Sequence, residues 1–209
     1  MFRFFKSLFT EQSIITAETD PMKKFLIVGL GNIGEEYAET RHNIGFKILD
    51  EAAKANDFTF ETAKLGDIGS YKVKGRTIIC LKPSTYMNRS GKALKYWMDK
   101  EKIPQSNVLV ITDDINLPFG TIRVKTKGSN GGHNGLKDVE LFLQTIKYNR
   151  YRFGVGADFG KGRQVEYVLG EWNDEEKALL PERLKKSTEI INSFALAGIA
   201  RTMNQFNNS

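Results

Sequence analysis

The sequence predicts an α/β fold: a single domain with a central, twisted, mixed β-sheet flanked by helices. Three observations carry this. Short apolar runs bounded by Gly or Pro alternate with stretches whose apolar residues recur at helical spacing. Two neighbouring runs meet at a two-residue turn, so part of the sheet is antiparallel. A further run alternates apolar and basic residues, the pattern of a strand with one wet face.

"FLIVGLG" (25–31) predicts a buried strand that runs into a glycine turn. Across 41–56, Ile44, Ile48, Leu49, Ala52 and Ala53 fall on one helical face. "GSYKVKGRTIICLKP" predicts a hairpin turning at Lys74-Gly75, with Pro83 ending its second strand. A helix follows over about 91–102. "NVLVITDD" (107–114) is a buried strand ending in two carboxylates, and "GTIRVKTKG" (120–128) is the alternating strand. "GLKDVELFLQTI" (135–146) predicts an amphipathic helix and "YRFGVGA" (151–157) another strand. The stretch 174–204 reads as helix, with Leu180, Leu184, Ile191 and Phe194 as core positions. No repeat or linker divides residues 22–209, which are expected to form the catalytic domain.

Composition narrows the class. A chain of 209 residues supports one well-cored domain, and 40% hydrophobic with 27% charged residues suits a globular protein. No apolar run approaches the ~20 residues that span a bilayer, so no membrane association is expected. The net charge of +6 leans toward polyanionic partners. Cys80 is the single cysteine and lies within "TIICL"; it reads as a strand-core thiol suited to a reducing cytoplasm, with no disulfide framework. Residues 1–21 differ from the rest. Charges interrupt their apolar residues and their second half is acidic, against both a signal and a transit peptide. They are expected to be a flexible extension.

"GLGNIG" (29–34) matches a dinucleotide-binding fingerprint, and Asp50 follows at about the right distance. The context breaks the match. In such folds the acid closes a second strand, whereas Asp50 lies in a helical stretch. A nicotinamide-dependent oxidoreductase is therefore set aside for a glycine-rich structural turn.

Four segments place unusual polar groups where loops leave strands: Asn32 and His42, Asn88, Asp113, and His133-Asn134. Singly, each has a structural reading. Asn88, His42 and His133-Asn134 can start helices, and Asp113 can cap the turn before Pro118. Together Asn32, His42, Asn88, Asp113 and Asn134 form a general-base constellation, since ligands of open α/β sheets gather at the carboxyl ends of strands. A carboxylate orients a histidine, the histidine activates water, and carboxamides donate to a developing oxyanion. No serine sits in a nucleophile elbow, so water is the expected nucleophile. No metal-ligand spacing is seen, so neither metal nor cofactor is expected. Arg123, Lys125 and Lys127 alternate along one predicted strand and offer a phosphate track.

"FLIVGLGNIGEEYAETRHNIGF", "KPSTYMNRSG", "TDDINLPFGTIRVK" and "GSNGGHNGLKD" resemble, in order and spacing, the four signature segments of bacterial-type peptidyl-tRNA hydrolase. The resemblance spans about 22–204. It implies a monomeric esterase that frees the peptide from the 3′-terminal ribose of tRNA, with the terminal CCA and acceptor stem as partner and no obligatory protein partner. It implies that His42 is the base and Asp113 its supporting carboxylate. Asn32 and Asn88 position substrate and water, Asn134 clamps the substrate, and Tyr37 and Tyr86 line the site. Ile33 stands where the family usually has proline, Tyr86 where phenylalanine is frequent, and Asn116 where a second acid often follows. None of these removes a catalytic group. A non-catalytic RNA-binding relative is the competing reading; the retention of every matching polar residue favours the enzyme.

Overall fold

The computed structural model describes residues 20–207. Its first strand, β1 (Lys24–Gly29), is buried along nearly its whole length. A strand buried on both faces must be central and covered on each side. Phe25 and Ile27 enter one core and Leu26 and Val28 the other, as the two-residue period of a strand requires.

The other strands are β2 (Glu61–Ala63), β3 (Gly66–Val73), β4 (Arg76–Pro83), β5 (Val108–Asp114), β6 (Ile122–Lys125) and β7 (Asn149–Gly154). They form one sheet in the order β2-β3-β4-β1-β5-β7-β6. The centre, β4-β1-β5-β7, is parallel. Both edges are antiparallel, through the β2-β3-β4 meander and the β6-β7 pair. The sheet is therefore mixed, as predicted, with the 74–75 turn joining β3 to β4.

Helix α1 (Ile44–Ala55) packs on one face of the sheet with α5 (Asp174–Ala197) and α6 (Ile199–Phe206). Helices α2 (Ser90–Lys100) and α3 (Asn134–Leu143) cover the other, and the short α4 (Gln164–Val168) lies at the rim. Chain order reverses at β1, because β4 pairs on one side of it and β5 on the other. The loops after β1, β4 and β5 diverge there and leave a crevice.

Several expectations need correction. The C-terminal helix is not continuous: Gly198, at φ 81°, ends α5 and starts α6. Strand β6 stops at Lys125, so Lys127 lies in the following loop rather than on the strand. Strand β2 and helix α4 escaped the sequence reading because each is too short to show a period.

The glycine fingerprint has a packing explanation. A Cβ on Gly29 would strike the carbonyl of Gly45, and one on Gly45 would strike the backbone of Leu30. The two glycines let α1 lie directly against the end of β1. Asp50 is on the exposed side of α1, paired with Lys82, far in role from a ribose-binding acid.

The expectation for the extension falls, for residues 1–19, outside the described residues. Strand β1 begins after Met22, whose carbonyl accepts a hydrogen bond from Asn107 Nδ2 (3.2 Å). A chain starting at Met22 is expected to retain its fold, with a Tm change of no more than about 2 °C. A thermal melt many degrees lower would show that the extension packs on the core.

Candidate active site

Residues 41–43 form a single 3₁₀ turn, and three consecutive side chains leave it in three directions. Arg41 reaches Glu176 (2.7 Å) at the start of α5. His42 Nδ1 meets Asp113 Oδ2 at 2.9 Å. Asn43 turns to the loop after β1: its Oδ1 accepts from the Asn32 N–H (2.8 Å) and its Nδ2 donates to the Asn32 carbonyl (2.9 Å). Asn43 is buried, and its two bonds fix the backbone of Asn32.

Asn32 in turn fixes the next loop. Its Oδ1 accepts from the Met87 N–H (2.9 Å), which settles the amide orientation and leaves Nδ2 as a free donor. Met87 begins the turn that carries Asn88, and both line the crevice with Asn32. The two carboxamides are thus placed relative to each other by one backbone contact.

Asp113 and Asp114 end β5 and divide the labour that the sequence left ambiguous. Asp114 takes the turn-capping role: its Oδ1 accepts from the Asn116 N–H (2.9 Å), and the carboxylate pairs with Arg152. Asp113 is buried and gives one oxygen to each of two histidines. Oδ2 serves His42, and Oδ1 lies 2.8 Å from His133 Nε2.

His133 is the residue that the sequence reading underrated. It does start α3, because its Nδ1 accepts from the Gly135 (3.1 Å) and Leu136 (3.2 Å) N–H groups. An Nδ1 that accepts cannot carry the proton, so the neutral ring holds it on Nε2, facing Asp113 Oδ1 and Thr112 Oγ1 (2.8 Å). The helix cap thereby fixes the tautomer that anchors the aspartate. The only sequence signal was that this was the chain's one other histidine.

Electrostatics follow from this arrangement. Burial alone would raise the Asp113 pKa, but the two imidazoles outweigh it and hold the carboxyl well below the usual range. Burial pulls the His42 pKa down; the charge and hydrogen bond of Asp113 more than offset this and leave it above its ordinary value. With Nδ1–H committed to Asp113, Nε2 is the atom left to act on a substrate. Donor atoms of His42, Asp113 and His133 lie within 4.8 Å of one another. Positions so far apart in sequence hide this cluster. Both His133 nitrogens and both Asp113 oxygens are already engaged, so a hydrogen-bonded relay describes the cluster better than a metal cradle does.

His42, Asp113, Asn32 and Asn88 share a cavity of about 860 Å³ with Asn134, the first residue of α3. Tyr86, 57% exposed, stands at its mouth. Tyr37 lies in the preceding 3₁₀ turn and is not among the lining residues. Burial pushes the Cys80 thiol up, in keeping with its place in the core.

A family model described as peptidyl-tRNA hydrolase matches residues 26–209. The chain belongs to the peptidyl-tRNA hydrolase family. It is 57% identical over 184 residues to a peptidyl-tRNA hydrolase of Bacteroides fragilis, covering 88% of this chain and 98% of that one. It is 55% identical over 184 residues to one from Phocaeicola vulgatus, with the same two coverages. The crystal structure of peptidyl-tRNA hydrolase from Acinetobacter baumannii superposes with a TM-score of 0.82 at 33% identity, covering 89% of this chain and 95% of that one.

The basic residues of this family member sort by what they touch. Lys125 and Lys127 line the cavity, together with Arg150 and Arg152. Arg123 stands apart, since its guanidinium donates to the Asn207 carbonyl (3.3 Å). Arg150 is a brace: it donates to the carbonyls of Ser129 (2.9 Å) and Ile146 (3.0 Å) and holds the glycine-rich loop before α3. The predicted strand of three alternating cations is therefore two lining lysines and one tether.

Proposed function

We propose that the chain hydrolyses the ester joining a peptide, or an N-acyl-aminoacyl group, to the 3′-terminal ribose of tRNA, and so returns free tRNA to translation. The contact that carries this reading is His42 Nδ1 to Asp113 Oδ2 (2.9 Å) in a cavity lined by carboxamides. His42 Nε2 takes a proton from water, and the resulting hydroxide adds to the ester carbonyl. Asp113 stabilises the imidazolium, and Asn32 Nδ2 supplies a donor to the developing oxyanion, with Asn88 beside it. On collapse the ribose oxygen leaves and recovers the proton from Nε2. Each step uses the chain's own groups and water. Lys125 and Lys127 offer the acceptor stem a sequence-tolerant, salt-sensitive hold. Tyr86 and Tyr37 are the aromatic groups proposed to meet the terminal nucleotide, Tyr37 only through movement of its loop. The reading includes a monomer at work in the cytoplasm.

The substrate test also examines Asn134. Ordinary aminoacyl-tRNA must be spared, and its free amine differs from a peptidyl nitrogen in lacking an adjoining carbonyl. Asn134 lines the cavity, and in this reading its side-chain amide donates to that carbonyl. Sites built around a substrate hydrogen bond reject analogues lacking it by roughly 10⁴-fold, and desolvating an ammonium adds to this. Single-turnover release is expected to be far faster for N-acetyl-aminoacyl-tRNA than for the same aminoacyl-tRNA. Asn134→Ala should narrow the gap mainly by slowing the acetylated substrate. Failure to release tRNA from the acetylated substrate would leave the non-catalytic RNA-binding reading; equal cleavage of both would place discrimination outside this site.

A further inference from the structure

Arg41 is charged, buried and directly precedes the base, yet it takes no part in the steps above. Its guanidinium is spent on another part of the molecule. Nη2 donates to Glu176 Oε2 (2.7 Å), and Nη1 donates to the carbonyls of Glu171 (2.6 Å) and Tyr167 (3.4 Å). The guanidinium carbon sits 4.4 Å from the centre of the Tyr167 ring and 5.6 Å from that of Trp172. Glu176 is itself held by the capping box of α5, where Asn173 and Glu176 bond reciprocally. The backbone joins in: the Arg41 N–H donates to the Gly170 carbonyl (3.0 Å), and Thr40 bridges to Glu171.

Apart from Glu176 in α5, the groups Arg41 grips lie at or just beyond the end of α4, and α4 is one wall of the catalytic cavity. Val165, Val168 and Leu169 line that wall. Val165 is 68% exposed, and no core neighbour covers it. The rest of the α4 anchorage also runs through Tyr167: its hydroxyl donates to the Val155 carbonyl (2.7 Å), and its ring lies 4.9 Å from that of Phe159 and packs against the core. A five-residue helix cannot hold its own position. Arg41, the residue next to His42, supplies the polar bonds that fix the C-terminal end of α4 relative to His42.

We propose that Arg41 is a specificity-determining positioning residue: it fixes α4 so that Val165, Val168 and Leu169 present an apolar wall to the amino-acid side chain esterified to the ribose. The wall shares the cavity with His42 Nε2, so a carbonyl placed for attack brings its own side chain to it. Lysine cannot replace arginine here. It keeps a charge for Glu176 but lacks the planar fork that reaches two carbonyls and stacks on Tyr167. This inference rests on the hydrolase reading.

The test compares N-acetyl-leucyl-tRNA with N-acetyl-glycyl-tRNA, which has no side chain to reach the wall. In Arg41→Lys, which keeps the ion pair to Glu176 that steadies the turn under His42, KM for the leucyl substrate is expected to rise about tenfold, the discrimination available to an apolar contact, while kcat and the glycyl KM stay near those of the unaltered protein. Tyr167→Phe removes the second fastening and should give the same selective rise, smaller, and it carries the test alone if Arg41→Lys does not fold. An equal KM rise for both substrates, or a fall in kcat with KM unchanged, would overturn the proposal. Cleavage of neither substrate by the unaltered protein would instead remove the hydrolase reading.

Discussion

His42→Ala is expected to lower kcat by about 10²–10⁴-fold, the usual contribution of general-base catalysis. The loss should fall on turnover and not on binding, because Lys125 and Lys127 sit elsewhere on the cavity wall. In the proposed mechanism the same histidine sets the pH profile of the unaltered protein. Only the neutral ring accepts a proton, and Asp113 holds the His42 pKa above its ordinary value. The acid limb of kcat/KM should therefore be shifted upward from the ordinary histidine value and report this group. Steady-state kinetics across pH, with tRNA binding measured separately, check both parts. Near-normal kcat in the alanine variant would sink the mechanism.

Asp113→Asn is the second large effect expected. The amide keeps the shape of the carboxylate but can accept through only one atom, and two imidazole N–H groups are aimed at this side chain. One ring must change tautomer or lose its bond, and no charge remains to stabilise the imidazolium. A comparable substitution in a hydrolytic triad lowers kcat by ~10⁴-fold, and a fall of similar order is expected here, with a smaller change in KM. Asp114→Asn should do far less to kcat, since Asp114 serves the 114–116 turn and Arg152. The two variants reversing their roles would mean the wrong aspartate has been paired with the base.

Much of this arrangement was legible in the residues because it depends on local pattern. Strands β1 and β5 are short apolar runs with clear ends, and the Lys74-Gly75 turn declares its hairpin. His42, Asp113, Asn32, Asn88 and Asn134 were visible as polar residues where strands give way to loops, and the crevice does bring them to one cavity. What the sequence hid depends on distance along the chain. The second imidazole on Asp113 comes from position 133, and the buried Asn43 that braces Asn32 looked like part of a helix start. The basic track failed for a related reason. Alternation says which face a side chain takes, but β6 ends at Lys125, and Arg123 is claimed by the carbonyl of Asn207, just after α6. Tyr37 was carried over by motif alone, and its turn sets it off the lining.

The 3₁₀ turn at 41–43 suits a histidine on a loop to the role of base proposed for it. Three residues per turn send successive side chains out about a third of a circle apart, and each of the three here ends on a different element: α5, β5 and the loop after β1. The backbone under His42 is triangulated, as a mast is by three stays. The entropy of immobilising a ring and its backbone amounts to a few kcal/mol, and here it is spent once, when the chain folds. Each substrate then meets an imidazole already in place, and none of its own binding energy is diverted to arresting it.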